Sequence, residues 1–192
     1  MIDYKANYKG KRQAHNLKVV GSNPTPATNF EGPRKRVFSF CSCFSKELPH
    51  RLQVMVYRKN ITVPTNGHRD IHDITSQVAD AVAESGIRTG LVNVFNVGST
   101  AVIGTIEFEP GLERDLPEML DRLIPPSCEY GHEQTWHDGN GHSHLQAALM
   151  GPSLIVPVEN GGLVLGTWQQ IFHLECDVKS RSRRIVVTVT GD

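Results

Sequence analysis

Residues 153–190 read SLIVPVENGGLVLGTWQQIFHLECDVKSRSRRIVVTVT. Four β-rich runs, SLIVPV, GLVLG, QQIFHLECD and RRIVVTVT, follow one another with no helical pattern between them. Glu159-Asn160-Gly161-Gly162 marks a tight hairpin between the first two, because Asn and Gly tolerate the positive φ angles of such turns. Consecutive parallel strands need a crossover helix, so four strands in a row exclude a doubly wound sheet. They point to an α+β domain of mainly antiparallel or mixed pairing.

Upstream, residues 141–150 form a short helix with Leu145, Ala148 and Leu149 on one face. Residues 112–123 carry a second apolar stripe, Leu112, Leu116, Met119, Leu120 and Leu123. Pro117 suits the first turn of a helix, which places that helix's start near Leu116. Residues 90–97 and 101–108 read as two buried strands around Gly98-Ser99-Thr100, since their apolar runs are nearly continuous. Residues 74–85 form a helix through Ile74, Val78, Ala81 and Val82, capped by Asp73 or Thr75 and stopped by Gly86. Residues 56–63 form a first strand, closed by Pro64 and the turn residues Asn66-Gly67.

Before Met55 the chain changes character. Residues 1–54 hold 10 Lys and Arg against 3 Asp and Glu, whereas residues 55–192 hold 10 against 17. The first segment lacks helical or strand periodicity. Gly21-Ser22-Asn23-Pro24 is what the T-arm of a tRNA gene yields when translated in one frame. Residues 1–54 are therefore expected to be a misassigned start or a disordered basic extension, with residues 55–192 as the domain. Peptides from upstream of Met55 in the native protein would overturn this. No apolar run approaches the roughly 20 residues that span a bilayer, and no secretory signal opens the chain. Cys41 and Cys43 are too close for an easy bridge, and Cys128 and Cys176 are far apart in sequence. Free thiols in a cytoplasmic protein are the expectation.

The chemistry concentrates in YGHEQTWHDGNGHSH, residues 130–144. His132, His137, His142 and His144 fall within thirteen residues, with Glu133 and Asp138 among them. Imidazole is the commonest zinc ligand and suits other first-row metals. Gly139 and Gly141 let the backbone bend enough to gather such side chains. His142 and His144 diverge by about 200° on a helix, so a shared site requires the helix to begin at or after His142. Gly98-Ser99-Thr100 offers backbone N–H groups and hydroxyls to a phosphate or carboxylate, or is an ordinary turn. Gly166-Thr167-Trp168-Gln169 places a Trp as an aromatic wall or as a buried structural residue. Glu175 and Asp177 complete a metal shell or pair with Arg181, Arg183 and Arg184. The RSRR run is a solvated strand edge or an anion clamp.

These separated motifs together resemble the YjbQ family of small proteins, also described as secondary thiamine-phosphate synthases. The stretches that carry the resemblance are YGHEQTWHDGNGHSHLQAALMGPSLIVPV, GTWQQIFHLECD and RSRRIVVTVTG, with VGSTAVIGTIEFEPGLERDLPEML upstream. The last is similar to the version common in archaea and some bacteria. The resemblance runs from Met55 to the C-terminus. It implies a compact α+β domain of mixed or antiparallel sheets with two to three helices, cytoplasmic and assembled as a homotrimer with sites near subunit boundaries. It implies a weak synthase activity on small phosphorylated substrates, in which a thiazole phosphate nitrogen displaces pyrophosphate from a hydroxymethylpyrimidine diphosphate. His132, Asn140, His142 and His144 carry over as catalytic residues, the three histidines also as ligands of a divalent metal, zinc or magnesium. Ser99, Thr100, Gly166, Thr167, Trp168 and Gln169 carry over as ligand-binding residues. Other branches have a His-Thr-Ser pattern near Gly98-Ser99-Thr100, and this chain has no histidine there. Nucleic acid and membrane are not among the expected partners. A different metal-dependent enzyme of phosphate ester or anhydride chemistry, and a non-enzymatic trimer binding a metal or anion, are the rival readings.

Overall fold

In a computed structural model, the structure describes residues 54–126 and 129–192. All but the last residue of the basic segment, 1–53, and Cys128 lie outside them. The elements run β1 (Met55–Thr65), β2 (Ile71–Asp73), α1 (Thr75–Ser85), β3 (Gly90–Asn96), β4 (Ala101–Ile106) and α2 (Pro110–Leu123). A 3₁₀ turn (Gly131–Gln134), α3 (Gly141–Met150), β5 (Ser153–Glu159), β6 (Gly162–Leu163), β7 (Gln170–Glu175) and β8 (Arg181–Gly191) follow. The pairings form a five-stranded sheet, β1-β8-β3-β5-β6, and a three-stranded sheet, β2-β7-β4, antiparallel throughout. This is the α+β architecture expected. Asn160 and Gly161 both take positive φ, 54° and 79°, as a two-residue hairpin turn requires.

Period-2 alternation builds the layers. Val92, Val94, Val156, Val158, Ile185, Val187 and Val189 point inward from the large sheet onto α1 and onto Ile103 and Ile171 of the small sheet. The other face of the small sheet presents Val102, Phe172 and Leu174 to Leu120 of α2 and Ala147 of α3. The small sheet is thus covered on both faces and the large one on one. This corrects the expectation that β3 is buried throughout: Leu91 and Phe95 are exposed on its outer face while Val92 and Val94 are fully buried.

Several boundaries differ from the sequence expectation for local reasons. β1 continues through Pro64 to Thr65; among the described strands it pairs with β8 alone, and an edge strand tolerates a residue without an N–H. β2 pairs by only three residues and carries no period to detect. Ile74, with no side-chain cap, stands at the N-cap of α1 in place of Asp73 or Thr75; the Asp73 carboxylate, one residue earlier, accepts from the Thr75 N–H at 2.8 Å, and Gly86 ends the helix at φ 69°. α2 begins six residues before Leu116. The Glu109 carboxylate accepts from the N–H groups of Gly111 and Leu112, and Pro110 occupies the first turn. Pro117 is then a buried interior residue, and Met119 and Leu123 of the supposed stripe are exposed.

Gly90 faces Gly191 across β3 and β8. A Cβ at Gly90 would lie 2.0 Å from the Thr190 carbonyl oxygen, a backbone atom that cannot move without opening the sheet. Gly90→Ala is therefore expected to destabilise the fold by about 1–3 kcal/mol, measured by urea unfolding. An unchanged midpoint would show that the strands part freely at this end.

Candidate functional site

The chain crosses from the large sheet to the small one at Gly98-Ser99-Thr100, between the end of β3 and the start of β4. Asn96, fully buried, donates from Nδ2 to the Gly98 carbonyl at 3.3 Å, and the Cys176 N–H donates to the Thr100 carbonyl at 3.0 Å. Under this turn lies Arg183. Its Nη1 is 2.8 Å from where a Cβ on Gly98 would sit, so the absence of a side chain there is what admits the guanidinium. Arg183 donates from Nε and Nη2 to Glu175, which is fully buried, and from Nη2 to the Thr100 hydroxyl at 2.7 Å. Glu175 also accepts from the Thr65 hydroxyl and the Asp177 N–H. Within the RSRR run only Arg183 is buried, as the charge at the centre of this network; Arg181, Ser182 and Arg184 are exposed, on a stretch of β8 that pairs with β1 but runs beyond the ladder with β3.

Arg181 extends that network, donating to Asp177 from Nε at 3.0 Å and Nη2 at 2.6 Å. Burial pushes the Asp177 carboxyl up, but hydrogen bonds from Arg181, the Lys179 N–H and Thr100 outweigh it and hold the group below the usual range. Glu175 and Asp177 thus take the arginine pairing and leave the metal-shell alternative aside. The Thr100 hydroxyl is committed too, donating to Asp177 at 3.2 Å while it accepts from Arg183. Of the two hydroxyls, Ser99, which is exposed, is the one turned to the opening.

The opposite wall is the histidine loop. The Glu133 carboxylate accepts from the N–H groups of Gly141 and Gly139, both at 2.8 Å, and these bonds lower its pKa. Those two bonds fold residues 134–140 around one side chain, with His137 and Gly139 at positive φ. α3 starts at Gly141, so His142 and His144 are both in its first turn and point apart. His144 meets His132, ring centroids 4.6 Å apart, and His132 Nε2 lies 3.3 Å from Asp138 without the alignment of a hydrogen bond. Asn140 is 5% exposed, and its Oδ1 has no hydrogen-bond partner among the described residues. His137 is exposed and lines a separate depression with Tyr130 and Glu133.

His142 goes elsewhere. It is 1% exposed, its ring set edge-on to His68 at 5.3 Å and its Nε2 3.3 Å from the Ser143 hydroxyl. Burial first, and the nearby His68 second, lower its pKa. His68 in turn pairs with Asp121 at 3.0 Å, and Asp121 also accepts from Arg69 and from Gln146. Burial raises the Asp121 carboxyl, but the bonds from His68, Gln146 and Arg69 outweigh it and hold it low. This hub ties the β1–β2 loop, α2 and α3 together. Sequence reasoning missed it, because His68 and Asp121 are isolated residues with no motif around them.

The expected three-histidine metal centre is accordingly not assembled. Among the described residues no group of three His, Cys, Asp or Glu side chains could hold a metal ion. His132 and His144 supply two nitrogen ligands where a zinc site needs three or four, and magnesium prefers oxygen. The residues present do not fit a resident metal.

What the two walls do enclose is a two-part cleft. The polar part, about 270 Å³, is lined by Gly98, Ser99, Thr100, Asn140, His144, Asp177, Arg181 and Arg183. The apolar part, about 340 Å³, shares Gly98, Ser99 and His144 and adds Ala101, Ala147, Ala148 and Pro152. Gly166, Thr167, Trp168 and Gln169 are not there. Gln169 accepts from the Gly166 N–H and donates to Thr105, at the far end of β4 and roughly 17 Å of strand from the 98–100 turn. Trp168 is 70% exposed, neither buried nor a wall of the cleft within one chain.

Residues 59–192 match the family described as UPF0047 protein, YjbQ-like. A UPF0047 protein of Methanothermobacter thermautotrophicus is 43% identical over 136 residues, covering 71% of this chain and 93% of that protein. The UPF0047 protein YugU of Bacillus subtilis is 32% identical over 135 residues, covering 69% of this chain and 98% of its own length. Among solved structures, a YbjQ-like protein of unknown function from Sulfolobus solfataricus is 37% identical. It superposes with a TM-score of 0.70 over 72% of this chain and 99% of its own. A hypothetical protein from Aeropyrum pernix, 32% identical, gives 0.65 over 70% and 98%. Among the described residues no helix is long and apolar enough to cross a membrane.

Proposed function

The chain belongs to the YjbQ-like UPF0047 family, and from that premise we propose that its two-part cleft binds a small phosphorylated substrate and performs thiamine-phosphate synthase-like transfer. The observation that supports this is the convergence of Ser99, Asn140 and His144 on one opening backed by the Arg183 guanidinium. Arg181 and Arg183 are balanced by Asp177 and Glu175, so phosphate affinity here depends on aimed donors more than on net charge. The Ser99 hydroxyl and the N–H groups of the 98–100 turn hold phosphate oxygens. His144, with His132 beside it, donates to the oxygens that gain charge as pyrophosphate departs.

A divalent ion taken up here would have His132 and His144 as its only imidazole ligands from the described residues. The cytoplasmic homotrimer that the resemblance implies would let Trp168 and its neighbours reach the cleft of an adjacent copy. Their exposure in one chain suits that role. The same two-ligand limit weighs against a different metal-dependent phosphate enzyme, and it favours a non-enzymatic anion-binding trimer as the second reading.

Rescue of a thiamine-auxotrophic strain by the full chain tests the proposal. The wild type is expected to restore growth, and His144→Ala to lower the purified enzyme's kcat by about 100-fold or more. Equal rescue by both would remove His144 from catalysis. No rescue by either would sink the synthase reading and leave the binding protein ahead.

A further inference from the structure

We infer that α2 is a contact surface for a second copy of this chain, the two helices lying antiparallel across a two-fold axis. The helix runs 14 residues, Pro110–Leu123, yet buries only Pro117 and Leu120. The apolar residues that mark it in the sequence, Leu112, Leu116, Met119 and Leu123, form a separate stripe beside that buried edge. Leu112 and Leu116 are half-buried, Met119 is 39% exposed and Leu123 62%. Their spacing of four, three and four is the a and d repeat of a helix that packs on another helix.

The stripe also has the relief of such a contact. Leu112, Asp115, Leu116 and Met119 stand at i, i+3, i+4 and i+7. With Arg122 and with Ile106 of β4 they line a groove of about 270 Å³. Four residues at those positions form the hole into which a partner helix inserts a side chain.

Charge selects the occupant. Asp115 and Arg122 lie seven residues apart on one flank of the stripe. Antiparallel pairing about an axis between Pro117 and Glu118 sets Leu116 against Met119 of the second copy, and Leu112 against its Leu123. The same operation brings Asp115 beside the second copy's Arg122 and Arg122 beside its Asp115, so one helix carries both halves of two ion pairs. In a parallel pairing Asp115 falls across from Leu120, which is buried in its own domain, and no ion pair forms. Arg122 is exposed and makes no hydrogen bond or ion pair among the described residues. Asp115 meets its neighbour Arg114 at 3.3 Å with both side chains more than half exposed, a pairing of little energy that leaves it able to exchange. A cyclic trimer joins unlike surfaces and has no such axis, so this contact doubles whatever assembly carries it. One helix against its copy buries less than the roughly 1,200 Å² of stable complexes, so the doubling depends on concentration.

Sedimentation velocity of the full chain over a concentration series tests this, beside Met119→Glu, Arg122→Glu and the double variant Asp115→Arg with Arg122→Glu. The wild type is expected to double its mass as concentration rises. Both single variants should associate more weakly by roughly 10-fold or more and keep the wild-type circular dichroism spectrum, because they touch only exposed side chains. The double variant, with the charges exchanged, should recover the doubling. Equal masses for the wild type and both single variants at every concentration would overturn the inference and leave the groove to a helix of another protein. So would an Arg122→Glu variant that doubles as the wild type does, or a double variant that stays undoubled.

Discussion

Arg183→Met is expected to lower the unfolding free energy by about 3–5 kcal/mol, the cost of leaving a buried charge without its partner. Glu175 is fully buried and Asp177 almost so, and both face the guanidinium. Removing it also takes a donor from the Thr100 hydroxyl and the support beneath Gly98. At roughly 3 °C per kcal/mol for a domain of this size, the thermal midpoint should fall by about 10 °C. Adding Glu175→Gln should recover part of the loss, because it removes the stranded charge. A midpoint shift of a degree or two for Arg183→Met alone would mean that water reaches the network and that the turn is held by other contacts.

The second large effect is on acid stability. His173 is fully buried on β7, and neither ring nitrogen has a hydrogen-bond partner among the described residues. Burial pushes its pKa down to about 4, with Arg183 and His72 lowering it further and Glu175 and Asp70 opposing. The folded state therefore binds its proton later than the unfolded chain, whose imidazole titrates near 6.5. Stability is intact above the unfolded value and falls as pH drops from about 6.5 to about 4, by roughly 3 kcal/mol in all. Carboxylates add their own acid loss, so the measured quantity is the difference between the wild type and His173→Leu across that window. The variant should lose less on acidification. Parallel curves would show that a solvent path or partner serves His173.

Much of the fold is legible in the sequence, and the reasons differ by element. The strand runs and the Asn160-Gly161 turn announce themselves because local backbone chemistry decides them. α1 is equally clear, since Ile74, Val78, Ala81 and Val82 are its buried face. α3 has the expected ends, Gly141 and Met150, and the opposite face inward. Leu145 and Leu149 are exposed, while His142, Ser143 and Gln146 are buried. An apolar stripe marks the inner face only when the polar one finds no partners. Here Asp121 gives Gln146 a partner, and His68 packs on His142, through contacts set more than twenty residues away.

The site was legible to the same limited depth. Ser99, Asn140 and His144 line one opening, on a strand turn and a helix start that can be placed from sequence. The divergence of His142 from His144 was legible as well, as helix geometry. The start of the helix at Gly141 then puts both histidines on it and separates them. Arg183 was visible as a possible partner of Glu175 and Asp177, but not as the support of the 98–100 turn. That role depends on Gly98 having no side chain opposite a strand 85 residues later.

The central claim is that phosphate binds between the 98–100 turn and the first turn of α3. Titration of the ¹⁵N-labelled full chain with inorganic pyrophosphate, followed by NMR, tests it most directly. Saturable shifts of the Gly98, Ser99 and Thr100 amides, together with the His144 ring nitrogens, are the predicted result. Saturation that leaves these signals in place while those of residues 166–169 move, or no saturable shift at all, would contradict it.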